Sequence, residues 1–162
     1  MASLTTSVAG LELDCCIYNA SGPRTGLKGA LEGIAKSSAG AVLSKSATLI
    51  GQTGNPNPRY KEVDLGSDSC PGSINSEGLP NKGIDYYIAE DIVNMVNEYN
   101  KPYIISLSGL KLKDNLEMFR RAMEVDGIAA IELNLACPNV PGNVSFFLFE
   151  VGFLTILMNW NR

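Results

Sequence analysis

No histidine occurs anywhere in the 162 residues of this chain. That absence excludes Ser–His and Cys–His nucleophilic pairs within it, so any general base must be Cys, Asp, Glu, Lys or Tyr. Basic runs are missing as well, and the net charge is −4. Both facts argue against nucleic acid and against an anionic membrane surface as partners. The four cysteines, Cys15, Cys16, Cys70 and Cys137, have no CxxC spacing and no histidine to join them. No zinc or other metal site is therefore expected. Met1 to Glu12 has neither a basic start nor an apolar run, so no signal peptide is read there. Reduced thiols and a cytoplasmic location follow as expectations. Long apolar runs are also absent: Val144 to Met158 is broken by Glu150 and falls short of the ~20 residues a membrane helix needs.

What is present suits one domain with a real core, since hydrophobic residues make up 45% of the chain. Leu4 to Glu12 alternates weakly and predicts a short edge strand turning at Gly10. Cys15 to Ala20 reads as a strand that Ser21-Gly22-Pro23 ends. Leu27, Ala30, Leu31, Ile34 and Ala35 recur at helical spacing, and Gly40 to Lys45 predicts a second strand closing on Lys45-Ser46. Gly51 to Gly83 is dense in Gly, Pro, Asn and Ser, a long loop of the kind that is usually functional. Ile88, Ile92, Met95, Val96 and Tyr99 share one helix face, and Tyr103 to Leu107 predicts a third strand. Leu112, Leu116, Phe119 and Met123 form a stripe on another helix, with Asp114 near its positive end. Ile128 to Leu135 is a fourth strand.

This alternation predicts an α/β fold with a parallel sheet, whose polar strand ends (Ser21, Lys45-Ser46, Ser106-Ser108, Asn134) share one rim. A complete eight-stranded barrel takes about 250 residues. Four βα units here make either a small open sheet or part of a barrel. The fourth strand runs into Ala136-Cys137-Pro138-Asn139-Val140-Pro141-Gly142, where the prolines forbid further pairing. A cysteine between two side-chain amides, past the carboxyl end of a buried strand, lies where such folds bind ligands. Read locally, it is equally an inert buried thiol before a turn.

Five motifs stand in order: Asn19-Ala20-Ser21-Gly22, Ser44-Lys45-Ser46, Asn55-Pro56-Asn57-Pro58-Arg59-Tyr60, Gly72 to Asn81, and Glu132 to Gly142. Together, from about Leu4 to Gly142, the chain resembles the class 1A dihydroorotate dehydrogenases, the soluble fumarate-linked family. The resemblance implies a partial (β/α)8 TIM barrel with about four βα units of parallel strands, holding FMN at the carboxyl rim. It implies oxidation of dihydroorotate to orotate in pyrimidine synthesis, with fumarate as electron acceptor, in a homodimer. Cys137 matches the general base that takes a proton from C5 while hydride leaves C6 for flavin N5. A thiol's ordinary pKa is about 8.5, so a minority is thiolate at neutral pH unless the loop lowers it. Lys45 matches a residue touching both flavin and substrate, and a cation there would stabilise developing negative charge. Asn75, Asn134 and Asn139 match amides that hold the orotate ring and carboxylate, Asn134 also touching the flavin. Gly78 and Leu79 match backbone contacts to substrate, and Ser21 and Ser46 match flavin contacts. Arg59 is read as a brace for the long loop.

Departures from the family are as telling. Ala136 stands where the family usually has Ser, which implies slower proton transfer. Glu77 stands where it usually has Met, and a carboxylate facing an anionic substrate is unfavourable. That residue raises the alternative of another dihydropyrimidine as substrate. Asp68 to Ser73 resembles a short insertion. After Gly142 the resemblance stops, before the second lysine and glycine-rich phosphate site that the family places later. Weak or no FMN retention and little activity are therefore expected, and a non-catalytic fragment is the competing reading. Residues 1–143 are read as the N-terminal half of a flavin-binding barrel. Residues 144–162 hold four of the five Phe, and Val144-Ser145 can be encoded by the splice-donor sequence GTAAGT. The tail is accordingly read as translated intron.

Overall fold

The computed structural model of the protein describes residues 3–64, 66 and 72–135, with the backbone of a strand at 155–158. A hairpin comes first. β1 (Thr6–Val8) pairs antiparallel with β2 (Leu11–Leu13) across Ala9 and Gly10, both at positive φ. The segment that follows, expected as a strand, forms no regular ladder. It is held beside β3 (Val42–Leu43) by Gly40 N–H donating to Ile17 O and by the Asn19 side chain. That amide accepts from Leu43 N–H (2.9 Å) and donates to Leu43 O (2.7 Å), doing with one side chain what a paired strand does with its backbone.

The sheet runs in the order β3, β6 (Tyr103–Leu107), β7 (Ile128–Asn134), β8 (Thr155–Met158). Its first three strands are parallel, and β8 joins antiparallel at the far edge of β7. Helices α1 (Lys28–Ala35), α2 (Ile84–Tyr87), α3 (Glu90–Asn97) and α4 (Leu112–Met123) connect the strands. This is an α/β fold with one largely parallel sheet, as the alternation implied, with three parallel strands in place of the four expected.

Strand periodicity splits the core in two. Tyr103, Ile105 and Leu107 face outward onto Leu31, Ile84, Ile92, Val96 and Met118 of the helices, all fully or nearly fully buried. Ile104 faces inward with Leu43, Ala130 and Leu13, and Leu11 of the hairpin closes that side. Burying each such aliphatic side chain contributes about 1.5–3 kcal/mol. On α3 the expected face is the buried one, Ile92, Met95 and Val96. On α4 it is not. Leu112 and Leu116 are exposed, and Met118 and Ala122 are the fully buried residues. The rotation is set at the helix start, where Asn115 Oδ1 accepts from Gly109 N–H and its amide donates to Gly109 O.

The long segment between β3 and α2, expected as an unstructured loop, contains a hairpin. β4 (Tyr60–Val63) pairs antiparallel with β5 (Gly72–Asn75), Tyr60 opposite Asn75. Asn81, buried, ties its base to the sheet. Its Oδ1 accepts from Thr48 N–H (3.1 Å) and Gly83 N–H (2.8 Å), and its Nδ2 donates to Leu79 O (3.0 Å).

Candidate functional site

The rim begins with an irregularity in β3. From Leu43 opposite Ile104 to Ala47 opposite Leu107, β3 takes four steps while β6 takes three. The extra residue is a bulge, which turns a strand's side chains over. Ser46 consequently joins Leu43 on the inward face, and the ladder gap it leaves is filled by Ser44, whose Oγ accepts from Ser106 N–H at 3.0 Å.

Above the apolar floor of Leu43, Ile104 and Ala130 lies a polar layer from four segments. Ser46 Oγ is 2.9 Å from Ser21 Oγ and 2.9 Å from Ser106 Oγ. Asn134 Nδ2 donates to Ser46 Oγ at 3.1 Å. Ser106 Oγ donates to Glu132 Oε1 at 2.8 Å, and Ser21 Oγ reaches the same oxygen at 3.4 Å. Ser46 and Ser106 are fully buried. Three residues expected at the site, Ser21, Ser46 and Asn134, are thus brought into one hydrogen-bonded cluster. Lys45 lies within the bulge beside them, only 7% exposed, with its backbone N–H on Thr25 O. Ser106 was foreseen only as part of a polar strand end, and Glu132 was not foreseen as a site residue. The signal for Glu132 was available, because it is two residues from the polar strand end Asn134 and strands alternate.

Gly78 and Leu79 are also placed distinctively. Both have left-handed backbone, φ 70° and 57°, and both are buried. At Gly78 a Cβ would lie 2.6 Å from the Asn55 side chain, so only glycine fits. A buried leucine at positive φ is strained, and strain of this kind collects at functional sites. Leu79 O accepts from Gln52 and Asn81, whereas the N–H groups of Gly78 and Leu79 have no acceptor among the described residues. Asn75 is exposed at the end of β5, on the hairpin and not in the polar layer. Cys137 and Asn139 lie outside the described residues.

Glu77 does not present a bare carboxylate. Its Oε2 is 2.9 Å from Arg59 Nε, and Arg59 Nη1 donates to Thr53 O (2.8 Å) and Asn55 O (3.2 Å). Arg59 therefore braces the loop, and the charge at position 77 is paired. The two residues line a cleft of about 690 Å³ together with Pro23, Gly26 and Leu27. Tyr103 and Tyr87 can be struck from the candidate bases. Burial pushes the Tyr103 phenol far up and raises that of Tyr87, so both stay protonated; their hydroxyls donate to Tyr87 O and Gly26 O. Among the described residues no three His, Cys, Asp or Glu side chains converge to hold a metal, and no helix is long and apolar enough to cross a membrane.

Comparison with known proteins adds the following. The family model described as dihydroorotate dehydrogenase matches residues 3–148. Dihydroorotate dehydrogenase (fumarate) of Saccharomyces cerevisiae is 42% identical over 142 residues, 87% of this chain and 43% of that protein. The Saccharomyces paradoxus enzyme of the same name is 41% identical, with the same coverage of 87% and 43%. The chain thus spans less than half the length of these curated relatives. Among solved structures, the crystal structure of DHODH in complex with ferulenol from Eimeria tenella superposes with a TM-score of 0.62. At 18% identity over 86% of this chain and 38% of that one, the match speaks for the fold.

Proposed function

Because the chain belongs to the dihydroorotate dehydrogenase family, we propose that it carries the part of a flavin site that binds and orients dihydroorotate for oxidation to orotate. The observation that carries this reading is the meeting of Ser21, Ser46 and Asn134, from three separate segments of the chain, over one apolar floor. Hydroxyls, an amide and the Lys45 cation along such a wall suit the polar edge of a flat ring. In this reading Ser21, Lys45, Ser46 and Asn134 would hold FMN. The chemistry that FMN supplies when bound is two-electron acceptance.

Each of the chain's own residues then has a task. The N–H groups of Gly78 and Leu79 donate to oxygen atoms of the substrate, which the left-handed turn turns toward it. Asn75, Asn134 and Asn139 read the pyrimidine ring and its carboxylate. Lys45 stabilises negative charge that develops on the substrate. Cys137 takes the proton from C5. Fumarate is the second substrate, two copies pair, and the protein works in the cytoplasm during pyrimidine synthesis. Residues 1–143 form the flavin half, and the tail 144–162 is translated intron, an idea that spliced messenger RNA carrying the tail would remove. The alternative of an uncharged dihydropyrimidine loses its motive, because Arg59 already pairs the Glu77 carboxylate.

Titration of the 162-residue chain with FMN tests the reading. Flavin fluorescence should be quenched, and orotate added next should perturb the flavin absorbance. Cys137→Ala should leave both unchanged while anaerobic bleaching by dihydroorotate slows at least ~100-fold. A chain that takes up neither FMN nor orotate at millimolar concentration refutes the reading in favour of a non-catalytic piece.

A further inference from the structure

We infer that Glu132 is a positioning residue: it sets the direction of the hydrogen-bond chain under the rim, and through it which atom of the Asn134 amide a ligand meets. The inference rests on the proposed function for the identity of that ligand, but its geometry stands on its own.

A carboxylate only accepts. Ser106 Oγ sits 2.8 Å from Glu132 Oε1, so the Ser106 proton points there. A hydroxyl has one proton, and Ser106 must therefore accept in its 2.9 Å contact with Ser46. The Ser46 proton is committed in turn, so Ser46 accepts from Ser21 at 2.9 Å and from Asn134 Nδ2 at 3.1 Å. The second route from Ser21, directly to Glu132 at 3.4 Å, ends on the same oxygen. With one proton on each hydroxyl, this is the assignment in which every hydroxyl contact of 2.9 Å or shorter carries a proton, each running toward Glu132, and it leaves the longer 3.4 Å approach of Ser21 to Glu132 without one.

Asn134 stands at the far end of this chain. Because Ser46 can only accept from it, the amide must turn Nδ2 downward and carry Oδ1 away from the layer. The ligand edge that meets Oδ1 must then offer a donor, as a ring N–H does and a ring carbonyl does not. Sheet register reinforces the coupling, since Glu132 and Asn134 are alternate residues of β7 and Ser106 is paired with Glu132. Fully buried Ser46 and Ser106 have no water to reorient them at low cost.

Glu132→Gln tests this with nearly unchanged shape. A glutamine can give its N–H to Ser106, which reverses Ser106 and Ser46 and turns the Asn134 amide over. In the wild type, nuclear Overhauser contacts should join the Asn134 side-chain N–H₂ to the Ser46 methylene. In Glu132→Gln they should vanish while thermal unfolding and the amide spectrum of the helices stay as in the wild type. Orotate affinity should fall at least ~10-fold, as one reversed hydrogen bond implies, and Ser46→Ala should fall similarly. Retained contacts together with retained affinity in Glu132→Gln overturn the inference. If the wild type binds neither orotate nor FMN, the proposed function fails, and the Asn134 contacts alone decide the role of Glu132.

Discussion

Glu132 and Glu77 both stand near the rim, and they are held there by opposite means. Glu132 is met by hydroxyls, Ser106 at 2.8 Å and Ser21 at 3.4 Å, on rigid strand ends above a packed floor. Glu77 is met by a guanidinium at 2.9 Å, on an excursion whose hairpin is largely exposed. Hydroxyls orient a carboxylate without cancelling its charge, whereas an arginine cancels the charge and ties two arms of chain together. The difference matches what each region must do. A barrel rim already has its shape from sheet packing and needs its polar groups aimed. An excursion of Gly, Pro and Asn has little apolar burial to shape it and needs ties.

If ties shape the excursion, its root should be the most sensitive point. Asn81→Ala removes the acceptor of two backbone N–H groups, Thr48 and Gly83, at a buried site. Each orphaned donor costs about 1–3 kcal/mol, so a loss of about 3 kcal/mol is expected in urea unfolding, and a loss under 1 kcal/mol would break the comparison. A smaller effect should come from the ion pair. Both partners are partly exposed, 28% and 21% by side chain, which limits the Coulomb gain. Arg59→Ala also removes the bonds to Thr53 O and Asn55 O, and should cost about 1–2 kcal/mol. Glu77→Gln should cost about 0.5 kcal/mol, and the double variant should reveal a coupling of about 1 kcal/mol. Amide exchange at Asn55 and Ser76, whose N–H groups cross between the arms, should accelerate in Arg59→Ala and leave β6 untouched.

The same contrast explains what could be read from the residues alone. β6 and β7 were legible as short apolar runs that feed the cores on both faces of the sheet, and α3 because its apolar stripe answers to one burial face. Ser21, Ser46 and Asn134 were legible as polar ends of parallel strands. The bulge at Ser44–Ser46 was not, since one extra residue leaves no mark in a short apolar run, and Glu132 was missed with it. The stripe on α4 misled because Asn115, a polar residue, fixes the helix rotation and turns Leu112 and Leu116 outward. Turn-forming residues around β4 and β5 concealed strands of only four residues each. Cys137 and Asn139, the boldest expectations, lie outside the described residues and are carried by the family resemblance.

A third carboxylate sharpens the comparison from the solvent side. Glu117 on α4 lies between Arg120 and Arg121, and hydrogen bonds from Arg120 first, then Arg121, hold its carboxyl down at about 2. Arg121 also reaches Asp85 of α2 at 3.0 Å, so the cluster links two helices. The folded value lies below the ordinary 4.5, so the contribution is fully present above that pH and fades as pH falls toward about 2. Glu117→Gln should lower stability slightly at pH 7, because solvent screens an exposed pair, and should flatten the acid limb by the same amount, so that variant and wild type converge as the pH falls toward about 2. Salt should reproduce the effect in the wild type and act less on the variant, which keeps only the Arg120–Glu124 and Arg121–Asp85 pairs of the cluster. Urea midpoints at pH 7 and pH 3, with and without salt, measure all of this. A large loss at pH 7 would mean that an exposed arginine can fix structure as firmly as Asn81 does in the interior, and the distinction between tied and packed regions would fail.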